Sequence, residues 1–211
     1  MIFQTISNLD GKHAPFSPSQ PYWLGDDDKG IIKRFHAMYA SSIGTVLHDF
    51  ARKRIKYGMK LSKADKKSAI IDILEAGIPK KVVDGLDFDF IFDNLQSYVN
   101  DAIGFRMSPE VHLYFSDNFF GTTDAISFHE KEKKLRIADL KTGNATPHIE
   151  QLIIYAALFC LQYKKNPSDF DICLSFYHRG EIVEVETTAN DIQETMDKIV
   201  AFDDVISRER N

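Results

Sequence analysis

The sequence predicts an α/β protein: a mixed β-sheet with helices packed on it, preceded by a mainly helical N-terminal part. Three observations lead there. Up to about residue 105, apolar residues recur at helical spacing between recognisable caps and stops. From Val111 onward, short apolar segments of strand character are separated by polar turns. One long apolar helix interrupts those strands, so the order reads helices first, then β-β-β-α-β-β-α.

The elements follow in order. Residues 11–30 are rich in Pro, Ser, Gly and Asp, which favours loop. A helix is expected over 31–39. A second begins near Ser41 or Ser42, either of which can cap it, and runs to Tyr57, where Gly58 stops it. Residues 63–79 form a third, closed by Gly77-Ile-Pro79, and 87–103 a fourth. Strands are expected over 111–115, 122–128 and 135–141, with the charged run His129-Glu-Lys-Glu-Lys-Lys134 as a hairpin connection. Thr146-Pro147 opens the next helix, through Gln162, since proline at the first helical position loses no hydrogen bond. Strands at 171–177 and 182–186 flank the turn 178–181, and a closing helix covers 189–207. The 211 residues are read as one domain, 1–211, with a mainly helical part, 1–105, and a sheet part, 106–211.

Composition removes several classes. With 44% hydrophobic and 27% charged residues the chain is of ordinary globular type. No apolar run approaches the ~20 residues of a membrane span. Met1–Asp10 lacks a basic start and an apolar centre, so no signal peptide is read and a cytoplasmic location is expected. Cys160 and Cys173 are too far apart for a CxxC pair and read as buried thiols. The net charge of −5 argues against coating nucleic acid by bulk electrostatics. Yet Arg52, Lys53, Arg54, Lys56, Lys60, Lys63, Lys66 and Lys67 crowd together against Asp65 alone. That local basic region suits phosphate contact, although a solvated helix face would look the same.

The chemistry-bearing stretch is Gly121-Thr-Thr-Asp124 followed by Ile137-Ala-Asp139-Leu-Lys141-Thr-Gly143. Alternation along a strand points Asp139 and Lys141 the same way and turns Leu140 into the opposite layer. Closing the hairpin brings Asp124 beside them. Two acids and a lysine on one face suffice to hold a divalent cation and aim a water at a phosphodiester. Asp139 also sits in mid-strand, where aspartate is disfavoured, and such local rule-breaking marks functional sites. Lys141 would orient or deprotonate the water and stabilise charge on the phosphate, unless it only pairs with Asp139. Thr142 offers a hydroxyl to the substrate backbone.

Other candidates flank that pair. His48 lies off the apolar stripe Ile43, Val46, Leu47 and Phe50 of its helix, above Gly44. By itself a lone histidine is more often structural. Gln151 and Tyr155, four apart, share one face of the apolar helix, where a buried amide must find partners. Glu110 is a third acid that could enter the site or simply start a strand.

Together these residues resemble a known group. Gly44-Thr-Val-Leu-His48, Gly121-Thr-Thr-Asp124, Asp139-Leu-Lys141-Thr-Gly143 and Gln151-Leu-Ile-Ile-Tyr155 stand in the order found in the RecB-like branch of the PD-(D/E)XK nucleases. That branch includes CRISPR-associated and bacteriophage exonucleases. The resemblance covers about residues 40–185, and Ser17–Leu24 looks like the branch's N-terminal segment. It implies a restriction-endonuclease-like sheet flanked by helices. It also implies Mg²⁺ or Mn²⁺ held by His48, Asp124, Asp139 and the Leu140 carbonyl, with Gln151 and Tyr155 beside the active site. Many relatives carry four cysteines for an iron–sulfur cluster; this chain has two, so no cluster is expected.

The resulting expectation is a metal-dependent DNA exonuclease acting in recombination, replication or end processing, in a bacterial host's cytoplasm if phage-encoded. Asp124, Asp139, Lys141, Gln151 and Tyr155 would form the catalytic group, with Arg52, Lys53, Lys56 and Thr142 on DNA. The alternatives are a catalytically silent DNA-binding adaptor on a nuclease fold and a site-specific endonuclease.

Overall fold

The computed structural model describes residues 14, 16–143, 146 and 148–210. The expectations for Met1–Asp10 and for Pro147 fall outside them. A 3₁₀ turn at Pro21–Gly25 leads into α1 (Asp28–Ala37), capped by Asp27, whose side chain accepts from the Gly30 amide at 2.8 Å. Next comes α2 (Ala40–Lys56). Neither Ser41 nor Ser42 caps it: both lie inside the helix, and Tyr39 precedes it with no side-chain bond. The expected single helix over 63–79 is instead a 3₁₀ turn, Lys63–Asp65, running into α3 (Lys66–Glu75), followed by the short α4 (Lys80–Asp84). Gly77, at φ +82°, makes the break between α3 and α4. Asp87 caps α5 (Phe88–Gly104).

The strands are longer than alternation alone indicated: β1 (Ser108–Ser116), β2 (Phe119–His129) and β3 (Lys134–Lys141). The charged run does close the β2–β3 hairpin, pairing His129 with Lys134. After β3 the chain crosses through α6 (Ile149–Tyr163) to β4 (Asp171–His178), then β5 (Glu181–Val185) and α7 (Ala189–Glu209). The five strands lie in the order β1-β2-β3-β4-β5. Only β3 and β4 run parallel, as a strand pair joined by a crossover helix can. The sheet is therefore mixed, as expected, and it is open.

Each face of the sheet has its own apolar layer. On one side Leu47, Phe50, Ile73, Val82, Phe92, Leu95 and Tyr98 of α2–α5 pack on Ala125, Ala138, Leu140 and Tyr177. On the other, Leu152, Ala156, Phe159, Ile192 and Ile199 of α6 and α7 pack on Leu113, Ile126, Leu135, Ile137, Leu174 and Phe176. Neighbouring strand residues thus bury into opposite layers, which clamps the strand register. Among the described residues no helix is long and apolar enough to cross a membrane.

Candidate active site

The β2–β3 ladder pairs Ala125 with Ala138 and goes no further toward the tip of the site. One residue on, where Asp124 would stand opposite Asp139, a side chain takes over from the backbone. Asp124 Oδ2 accepts from the Leu140 amide at 2.8 Å. Its other oxygen lies 3.3 Å from Nδ1 of His48. Asp124 therefore joins β2, β3 and α2 at one point.

His48 reaches that point because α2 comes very close to the end of β3. A Cβ on Gly44 would stand only 3.1 Å from Oγ1 of Thr142, so a larger residue there would push on the Thr142 side chain. Beside His48, an open cleft of about 620 Å³ is lined by Ser41, Gly44, Thr45, Asp49 and Arg52 of α2 together with Glu110 of β1.

Asp139 is buried, at 4% exposure. Its Oδ1 accepts from Gln151 Nε2 at 3.1 Å, and Lys141 Nζ donates to Gln151 Oε1 at 2.8 Å. The Lys141 ammonium also stands 2.9 Å from Asp139 Oδ2. That oxygen is buried without a bond of hydrogen-bonding geometry. Asp139, Lys141 and Gln151 thus close a triangle. A glutamine suits the third corner because its two ends offer an acceptor to the ammonium and a donor to the carboxylate. One helical turn on, Tyr155 donates its hydroxyl to the Thr122 carbonyl at 2.7 Å. Gly121 makes room for it, since a Cβ there would stand 2.8 Å from the Tyr155 ring.

Burial and the neighbouring Asp124 carboxylate push Asp139 above the usual carboxylate range, only partly offset by Lys141 and His48. Burial disfavours the His48 imidazolium, but the hydrogen bond and charge of Asp124 outweigh it and raise the pKa. Burial likewise raises Tyr155. Two carboxylates and an imidazole are donors of the kind that hard divalent cations accept, and one carboxylate oxygen here lacks a hydrogen bond. As they stand, no three or more His, Cys, Asp or Glu residues among those described form a group that could hold a metal ion.

The remaining candidates fall outside this knot. Glu110 has a left-handed backbone, φ +49°, and its carboxylate meets Arg52 Nε at 3.2 Å. Arg52 is held from its other side by Asp49, which also takes Lys53 Nζ at 2.7 Å. Lys56 is exposed, with Nζ 5.8 Å from the ring centre of Tyr57. Cys160 is buried and Cys173 half-buried; both are free, with burial pushing the Cys160 thiol up to about 12.

One neighbour of the site went unread in the sequence. Asn94, on α5, is buried and donates to the Lys141 carbonyl at 3.2 Å. The signal was present: an amide within the apolar run of a buried helix, the same anomaly that singled out Gln151. Comparison of the chain with protein-family models, curated proteins and solved structures gives no match.

Proposed function

We propose that this protein is a metal-dependent deoxyribonuclease, an exonuclease on a PD-(D/E)XK-type fold of the RecB-like branch. The observation that carries the reading is the closed Asp139–Lys141–Gln151 triangle set against the Asp124–His48 pair. It gathers residues from α2, β2, β3 and α6, and these are the residues of the four short motifs that resemble that branch.

The donor set fits Mg²⁺ or Mn²⁺ in kind, with His48, Asp124, Asp139 and the Leu140 carbonyl as the groups that would hold it. Such an ion, when bound, supplies an acidified water and neutralises phosphate charge. Hydrolysis joins the water oxygen to phosphorus and breaks one P–O bond, leaving a proton to be handed to the departing sugar oxygen. Lys141, held by Gln151, presents its ammonium where charge develops on the phosphate. Gln151 and Asp139 hold that ammonium between them, at 2.8 and 2.9 Å. The cleft lined by Arg52 and Glu110 also includes His48, and the Thr142 hydroxyl lies against Gly44 of the same helix. Arg52 and Lys53 share Asp49, so their pull on phosphates is partly neutralised. Lys56, like Lys53, is exposed to solvent on this helix.

The test is purified protein on linear DNA labelled at either end, beside a closed circle, with Mn²⁺ or Mg²⁺. Progressive shortening from one end is expected, with Asp139→Ala and Lys141→Ala each inactive and folded. No cleavage of linear, nicked or single-stranded DNA would falsify the reading. A discrete fragment pattern from the circle would indicate a site-specific endonuclease instead. The alternative reading is a catalytically silent DNA-binding adaptor on the same fold. Calorimetry separates these, because an adaptor binds DNA with no specific uptake of Mn²⁺.

A further inference from the structure

Asn94 stands where an amide is costly. Around it α5 buries Phe92, Leu95, Tyr98, Val99 and Ala102 in the apolar layer, and Asn94 itself is 4% exposed. A side-chain amide stays in such a layer only if it is hydrogen-bonded. Its Nδ2 donates to two main-chain carbonyls, Lys141 at 3.2 Å and Tyr177 at 2.9 Å. In the parallel register Leu140 stands beside Tyr177 and Lys141 beside His178. Both carbonyls therefore lie at the carboxyl ends of adjacent parallel strands, where an open α/β sheet presents its ligands.

The same helix anchors Tyr177 twice more. The Tyr98 ring meets the Tyr177 ring edge-on at 5.3 Å, and Asp101 accepts the Tyr177 hydroxyl at 2.9 Å. Residues 94, 98 and 101 follow helical spacing, so one stripe of α5 holds the end of β4. Asn94 then ties that anchored strand to the backbone of Lys141. On the opposite face of β3 the Lys141 side chain reaches Asp139 and Gln151.

We propose that Asn94 is a positioning residue for Lys141: by clamping the Lys141 and Tyr177 carbonyls it fixes the backbone from which the Lys141 ammonium is aimed. The proposal rests on the nuclease reading for its consequence but not for its geometry. Nothing in the reaction touches Asn94 directly; its effect is on aim, and a misplacement of about 1 Å near a reacting centre can cost roughly a hundredfold in rate.

The test has two arms. In metal-free protein, hydrogen exchange at the Thr142 and His178 amides should rise at least about tenfold in Asn94→Leu, with α7 unchanged. In turnover of linear DNA with Mn²⁺, Asn94→Leu should lower kcat roughly tenfold to a hundredfold while leaving KM within about twofold. Asn94→Asp preserves size but cannot donate when ionised. Its kcat relative to the parent protein should climb as pH falls and the new carboxyl gains a proton, whereas the leucine variant's ratio stays flat. Unchanged exchange overturns the proposal. So does an Asn94→Leu enzyme that loses thermal stability but keeps kcat, or an Asn94→Asp ratio without pH dependence. If the parent protein cuts no DNA, the nuclease reading fails, and the exchange arm alone decides whether Asn94 holds the Lys141 segment.

Discussion

The Asp124 carboxylate accepts the Leu140 amide at 2.8 Å, at the point where the β2–β3 ladder stops. A single acid thereby ends a strand pair, satisfies a main-chain donor and presents its second oxygen to His48 at 3.3 Å. Structural and chemical duties of this residue can be separated, because an amide keeps one and loses the other.

Asp124→Asn retains an acceptor for the Leu140 amide, so its unfolding free energy should stay within about 0.5 kcal/mol of the parent. Asp124→Ala leaves that amide unpaired and should cost on the order of 1–3 kcal/mol. Urea titration of both variants reads the difference, and calorimetry should find Mn²⁺ binding lost in both. Equal stability for the two variants would show that the Asp124–Leu140 bond contributes nothing.

The metal-free protein should lose stability as pH rises above the ordinary histidine value, in part through His48. Burial works against the imidazolium, but Asp124 more than compensates, so the folded pKa lies above the ordinary histidine value. A raised folded pKa means that the native state holds a proton the unfolded chain has released. The contribution is complete below the ordinary value of about 6.5 and disappears as pH climbs through the folded one. Denaturation midpoints in chelator at pH 6 and pH 8 should differ, and His48→Asn should shrink the gap.

Gly121→Ala should disturb Tyr155, since the new Cβ would stand 2.8 Å from its ring. Displacing the ring breaks the Tyr155–Thr122 bond and should cost about 1–3 kcal/mol. In a Tyr155→Ala background the same change meets no ring, so its cost should nearly vanish. A double-mutant cycle with no coupling between the two positions would refute the contact.

The C-terminal helix should loosen in acid. Asp203 of α7 accepts from Ser116 Oγ at 2.6 Å and Asn118 Nδ2 at 2.7 Å, and these bonds hold its pKa below the usual carboxylate range. A lowered folded pKa contributes above the ordinary carboxylate value and is lost as pH falls through the folded one. The protection factors of the last turns of α7 should fall as pH drops through that range. In Asp203→Asn the same turns should show low protection at every pH.

Much of the architecture was legible because local signals agreed with the tertiary result. The order of elements, the mixed sheet and the β2–β3 hairpin all follow from apolar periodicity and turn residues. The failures are local competitions. Ser41 and Ser42 are good caps, yet α2 begins before them: the Tyr39 carbonyl already accepts the Ile43 amide at 2.8 Å, which places both serines inside the helix. Gly77 does stop the helix expected over 63–79, standing at φ +82° just past α3, but that helix starts late because Lys63–Asp65 form a 3₁₀ turn first.

For the site, the sequence alone determined the inventory: an acid before the hairpin, an acid and a lysine after it, and a glutamine and tyrosine four apart on the next helix. Alternation also determined that Asp139 and Lys141 share a face while Leu140 is buried in the opposite layer. Only the tertiary structure decided the pairings. It gave the Leu140 amide to Asp124, turned Glu110 onto Arg52, divided Asp49 between Arg52 and Lys53, and brought Asn94 from the opposite layer to the Lys141 carbonyl. The physical reason is that periodicity fixes which side of an element a residue occupies. Which donors and acceptors are left to be satisfied depends on where strands stop pairing and how closely helices approach, and both are properties of the packed chain.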